Sequence, residues 1–193
     1  YGDYVIANHG SLGGWDAFGP VRTVTRSEDN VLFELDGKPA LDLYKQYLGE
    51  KAAELPASGL LFPLAMSTAD APDKTLVRTL LAVDEDARSM TFAGDLPEGA
   101  AVQLMKANFE RLVDGAGGAA DAASFDAELL DGSASLAIAV SCVGRRLVLG
   151  ERIEEEVEAV RDALPFVDHI TGFYSYGELS PAVDSPTCDL HNQ

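Results

Sequence analysis

At 193 residues the chain can form one large domain or two small ones, and an apolar fraction of 47% excludes a disordered tail. With 14 Lys and Arg against 32 Asp and Glu, the net charge is −18. A surface this acidic repels phosphate backbones and anionic lipid, which argues against nucleic-acid and membrane-surface binding. The charge is spread along the chain, so it also suits plain solubility. Two cysteines, Cys142 and Cys188, are too few for a disulfide framework and match no metal spacing, which points to a reducing, cytoplasmic setting. No apolar run approaches the roughly 20 residues of a membrane span. The chain opens without Met on "YGDYVIANHG", which reads as an excised domain.

Residues 1–20 read as a Gly-rich loop with one short strand at 4–7. β-branched runs at 21–25 and 31–35 flank the turn "SEDN" and predict a hairpin. Pro39 is placed to open a helix whose stripe is Leu41, Tyr44, Leu48, Ala52 and Leu55, with Gly49 as a weak point. "GLLFPLAM" predicts a short buried strand with Pro63 at an edge or bulge, and "DAPDK" a loop. "TLVRTLLAV" and "MTFAGD" predict a second hairpin. Val102, Met105, Phe109 and Leu112 recur at helical spacing in "PEGAAVQLMKANFERLV", and "DGAGG" weakens or breaks that helix. "SLAIAVSCV" is apolar throughout and predicts a strand covered on both faces, interrupted by "GRR" and continued by "LVLG". "ERIEEEVEAVRDAL" predicts a helix with Ile153, Val157, Val160 and Leu164 inside, and with Glu151, Glu154, Glu155 and Glu156 complementing its positive end. "ITGFYSYGEL" and "CDLHNQ" predict two last strands. The order predicts an α/β fold: a mixed sheet with hairpins and three to four packed helices.

Four clusters carry chemistry. In "SCVGRR", Cys142 and Gly144 end a strand and Arg145 and Arg146 follow, which is either a carboxylate contact or a turn with surface arginines. In "GFYSYGELSP", alternation places Tyr174 and Tyr176 on one face and Phe173 and Ser175 on the other. With Glu178 they form either an aromatic wall for an amine or plain cross-strand packing. "CDLHNQ" puts Asp189 and His191 on one face, where His191 is either a structural histidine, a metal or haem ligand, or a base. No HxH or HxxxH spacing supports a metal. The glycines of "GSLGGWDAFGP" are not followed by Lys-Ser/Thr or a helix, so a phosphate loop is rejected, and Trp15 and Phe18 read as groove plugs. No G-x-S-x-G, H-E-x-x-H or C-x-x-C occurs. A Cys142–His191–Asp189 set could be drawn as nucleophile, base and orienter, but nothing in the spacing favours it, so the chain reads as a non-enzyme.

Taken together, "GPVRTVTRSEDNVLFELDGKPALDLYKQYLG", "VQLMKANFERLVDGA", "SCVGRRLVLGERIEEEVEAV", "GFYSYGEL" and "CDLHNQ" resemble the FIST family (F-box and intracellular signal transduction). Residues 1–37 resemble the tail of its N-terminal domain and 38–193 its C-terminal domain. The resemblance implies a sensory role: binding a small ligand, an amino acid among the candidates, and reporting to a partner such as a histidine kinase or a cyclic-dinucleotide enzyme. It implies no catalytic set. The matching positions are Cys142, Gly144, Arg145, Tyr174, Ser175, Tyr176, Gly177, Glu178, His191 and Asn192. On this reading Arg145 or Arg146 forks the ligand carboxylate, Glu178 holds its ammonium, and no cofactor is needed. The alternative is a haem-based nitric oxide sensor with His191 or His169 as axial ligand. Two departures stand out: most of the N-terminal half is missing, and the family pattern continues past "HNQ".

Overall fold

The computed structural model describes residues 5–125, 134–181 and 188–191, the last of these and Asp73 partly by backbone alone. Strands β1 (Trp15–Glu28) and β2 (Val31–Leu35) form the first expected hairpin, with Glu28 opposite Val31 and Asp29 at φ 51 in the turn. β1 begins well before the predicted strand, and residues 5–7 are not a strand. β3 (Lys38–Pro39) leads into α1 (Ala40–Leu48), which ends at Gly49, and a 3-10 turn covers Gly49–Glu54. Leu41, Tyr44 and Leu48 are buried as the helical stripe predicts. A second 3-10 turn (Ala57–Leu61) precedes β4 (Leu64–Thr68), so half of "GLLFPLAM" is not strand.

β5 (Ala71–Arg78) includes the stretch expected as a loop, and β6 (Leu80–Asp84) pairs with β7 (Ser89–Phe92) in the second predicted hairpin. β8 (Ala101–Ala107) replaces the first half of a predicted helix, and α2 (Phe109–Ala123) begins only after Asn108, whose side chain accepts from the Arg111 amide. β9 (Leu136–Cys142), α3 (Val143–Leu149), α4 (Ile153–Ala163), β10 (His169–Ser175), β11 (Glu178–Pro181) and β12 (Cys188–His191) complete the order. "LVLG", expected as strand, is the end of α3.

An eight-stranded sheet runs β5-β4-β8-β1-β2-β7-β6, with β3 on β2, and its strands pair antiparallel. β1 belongs to both halves. Its start pairs with β8 and its end with β2, and the register breaks between Phe18 and Arg22. Gly19 lies in that break at φ 71, a conformation open to glycine at little cost.

One face of the sheet meets α1 in a core that holds Leu32, Leu41, Tyr44, Met66, Leu104 and Val102. The other face, at β4, β5, β8 and the start of β1, meets α2 and α3 through Trp15, Val77, Met105, Leu112, Val148 and Leu149. β8 is therefore covered on both sides, with Val102 and Leu104 facing one core and Met105 the other. Leu104 and Met105, entering different cores in succession, break the polar alternation that Val102, Gln103 and Leu104 begin, and Val102 and Met105 then fall at the i, i+3 spacing of a helix. Burying a side chain as fully as those of Leu41 in one core and Leu112 in the other is worth about 1.5–3 kcal/mol each.

The glycines of α2 do not break it. Gly115 and Gly14 lie where residues 10–14 cross the helix, and a Cβ on Gly14 would stand 2.3 Å from the Arg111 carbonyl oxygen. β9 and β10 form a separate parallel pair, and β11 and β12 an antiparallel one. β9 was expected to be covered on both faces, yet Leu136, Ile138 and Val140 are exposed, next to an exposed Phe173 that pairs with Val140.

Candidate functional site

β9 and β10 run parallel in register, so their carboxyl ends lie side by side: Ser141 opposite Tyr174, and Cys142 opposite Ser175. Open α/β sheets bind ligands outside such ends. The sequence stretches "SCVGRR" and "FYSYGEL" thus converge.

The chain turns directly from β9 into α3. Cys142 stays extended at φ −69, ψ 137, and its Sγ accepts from the Gly144 amide at 3.3 Å. Burial pushes the Cys142 thiol up. The Gly144 N–H opposes this, and the nearby Glu178 carboxylate adds to it. A buried, protonated thiol is a poor nucleophile. The Asp189 and His191 side chains of the drawn catalytic set lie outside the described residues, as does Asn192.

Arg145 and Arg146 part company. Arg145 is 3% exposed. Its Nε donates to Glu156 Oε1 at 2.6 Å and its Nη2 donates to the Leu112 carbonyl. The second oxygen of Glu156, Oε2, accepts from Ser141 Oγ at 3.2 Å. One buried ion pair therefore joins β9, α2, α3 and α4. From the sequence Glu156 is one of four carboxylates that complement the positive end of a helix; in the structure it is 5% exposed. Nothing in an acidic run distinguishes the member that turns inward. Arg145 is committed to this network rather than to an outside carboxylate.

Arg146 faces outward. Its guanidinium carbon lies 5.2 Å from the centroid of the Tyr174 ring, within cation–π range. Among the described residues it donates no hydrogen bond to a protein acceptor. The Tyr174 hydroxyl is pushed up by burial first and then by Glu156, against the lowering pull of Arg146 and Arg145.

Tyr176 does not share a wall with Tyr174. β10 ends at Ser175, whose Oγ donates to the Gly177 carbonyl at 2.7 Å and accepts from the Gly177 amide at 3.3 Å. This serine turn swings Tyr176 outward to 82% exposure. Glu178 then opens β11, opposite His191 in the ladder, with its charge close enough to act on Cys142. His169 is exposed at the far end of β10, roughly 20 Å from Ser175 at strand rise. It stands beside Leu136 on an open strand face, with nothing among the described residues enclosing it as a haem pocket would.

Sequence reasoning also passed over Arg78. It is buried on β5, where its Nε donates to the Asp95 carbonyl at 2.9 Å and its Nη1 to the Leu190 carbonyl at 3.1 Å. It ties β12 to the main sheet. A lone cation inside "TLVRTLL" was the available signal.

An open groove of about 420 Å³ runs along α4, lined by Ile153, Glu154, Val157, Glu158, Arg161 and Tyr174. A second depression of about 330 Å³ lies at the start of α2, where Arg152 donates to Glu110 at 2.8 Å and Asn108 to Asp16 at 2.8 Å. Asp16, Glu110 and Arg152 are thus already paired there, while the exposed Lys106 lines the same depression. Among the described residues no group of three or more His, Cys, Asp or Glu is placed to hold a metal ion. No helix of the described residues is long and apolar enough to cross a membrane.

The fold and the strand-end cluster define a domain of α/β architecture with an exposed cation set over a phenol. Residues 40–181 match the FIST C domain and residues 1–38 the FIST N domain, and the chain belongs to the FIST family. FIST domains are sensory domains of signal transduction. No curated protein and no solved structure matches the chain.

Proposed function

We propose that the chain senses a small amino acid and reports its presence to a signalling partner. The ligand lies at the carboxyl ends of β9 and β10. The observation that carries this reading is Arg146: an outward guanidinium held over Tyr174, with no protein acceptor among the described residues. Arginine stacked in this way keeps its N–H edge for a carboxylate. Arg145 supports the site from below through Glu156, and Glu178, near Cys142, supplies the negative charge for the ligand's ammonium. Binding would shift an existing equilibrium of the domain and so bias the partner.

A thermal-shift panel of free amino acids tests this. A ligand at about 100 times its Kd stabilises by about 2.7 kcal/mol, or roughly 5–10 °C for a chain of this size. At least one amino acid should raise the Tm of the wild type and not of Arg146→Met. No shift from any of them at millimolar concentration would refute the proposal.

A further inference from the structure

The apolar stripe predicted for the inside of α4 was Ile153, Val157, Val160 and Leu164. The helix is rotated from that expectation. Glu156 turns inward to Arg145 and Leu164 is buried, while Val157 stays 55% exposed. Val157 is the exposed apolar residue of the outer face; Ile153, one turn before it, packs partly against the core beneath, the exposed Arg161 follows one turn after, and Tyr174 closes the groove beside them. The next ridge round the helix is Glu154, Glu158 and Asp162, all exposed. Among the described residues none of these three makes an ion pair. Arg152 and Glu155 lie on other faces and are already bonded to each other and to Glu110. Arg161 uses Nη1 on the Val167 carbonyl.

α4 therefore presents an apolar strip centred on Val157 and, beside it, an acidic ridge that makes no ion pair among the described residues, with Arg161 as the one cation lining the groove. Like charges at i, i+4 cost a helix about 0.2–0.5 kcal/mol per pair. A partner bearing cations at the same spacing offsets that cost. We infer that this groove docks a cationic amphipathic helix of a partner protein, with apolar residues against the strip and Lys or Arg at i, i+4 against Glu154 and Glu158. The shape agrees with helix packing, in which the i±4 ridges of one helix enter the grooves of another. From Glu154 to Arg161 the groove is about 10 Å long at helical rise, two turns of a partner helix.

Charge selects this occupant over the others. A second copy would bring the same acidic ridge and a net charge of −18. Anionic lipid and nucleic acid are repelled by the same field. A small amine would satisfy one carboxylate and leave the apolar strip uncovered. The inference goes beyond the amino-acid reading and stands without it, because it uses no ligand.

The test is a titration of the full chain, followed by amide NMR shifts, with a synthetic three-turn helical peptide carrying Leu at i, i+4 and Lys on the flanking ridge. A twin peptide has Glu for Lys. The Lys peptide is expected to bind more tightly than the twin by at least about tenfold, with shifts centred on α4 and Tyr174. Glu154→Lys/Glu158→Lys should invert the preference. Val157→Asp, at an exposed position, should weaken the Lys peptide by about tenfold with the near-ultraviolet circular dichroism unchanged. Equal binding of the two peptides, shifts centred elsewhere, full displacement by spermidine, or indifference to Val157→Asp would each overturn the inference.

Discussion

Replacing Glu156 by Ala should be among the most damaging single changes to this fold. The side chains of Arg145 and Glu156 are 4% and 7% exposed, and the carboxylate receives both the guanidinium at 2.6 Å and Ser141 Oγ at 3.2 Å. Without it, Arg145 keeps the Leu112 carbonyl as its partner among the described residues, and its charge remains buried. Removing one member of a buried pair costs about 3–5 kcal/mol, much of it from the stranded charge. The control is Glu155→Ala, which breaks the Arg152 pair at 2.6 Å between side chains 39% and 41% exposed. Pairs exposed to that degree are worth about 0–1 kcal/mol. Urea unfolding followed by the emission of Trp15, the single tryptophan, reads both variants. At about 2–4 °C per kcal/mol, Glu156→Ala should also lower Tm by roughly 6–20 °C. Replacing both partners by apolar residues, Arg145→Met with Glu156→Leu, should recover most of the loss, since the penalty lies in the unpaired charge. If Glu156→Ala costs no more than Glu155→Ala, the buried network is not what holds α4 against β9.

Gly14→Ala should destabilise by about 1–3 kcal/mol because its Cβ meets backbone at 2.3 Å, whereas Gly117→Ala, with its nearest contact at 3.7 Å, should stabilise by about 0.5–1 kcal/mol; chemical denaturation separates the two signs. Asp36 is held below the usual carboxylate range, first by the Thr23 amide and then by Arg22, and Asp168 likewise by Ser135. Their unfolded forms take up protons near pH 3.9, before the folded forms do. Their stabilisation is therefore present above about pH 4 and lost as pH falls through the depressed folded values. Urea midpoints against pH should show this fall, and Asp36→Asn should flatten it. Cys188 is exposed and Cys142 buried with its thiol pushed up, so a disulfide reagent should titrate one thiol in the native protein and a second only after unfolding.

Much of the fold could be read from the chain because each local choice agreed with the final packing. The β1–β2 hairpin had a turn of Ser, Glu, Asp and Asn between β-branched runs, and Pro39 marked the start of α1, although its stripe was carried on to Leu55 past Gly49, where the helix ends. β8 could not be read, because Leu104 and Met105 enter different cores in succession and break the alternation that Val102, Gln103 and Leu104 begin. α3 could not be read either, since seven residues are too few to show a helical stripe and Cys142 supplies an uncommon sulfur cap. At the site, the meeting of "SCVGRR" with the tyrosine strand was a supposition of the amino-acid reading, carried by no motif, and it comes about through the parallel register of β9 and β10. The division of labour between two adjacent arginines was not visible, because it depends on which face of a short helix meets Glu156. Tyr176 was misplaced for a similar reason: alternation was extended one residue past a strand that Ser175 ends.

The account turns on whether Arg146 presents its guanidinium to a ligand carboxylate. The most direct measurement is calorimetric titration of the amino acid that stabilises the wild type, in parallel with the amine obtained from it by decarboxylation. The amino acid should bind and the amine should not, by a margin of at least about tenfold, and Arg146→Met should abolish the difference. Equal affinity for the two compounds in the wild type, or unchanged discrimination in Arg146→Met, would contradict it.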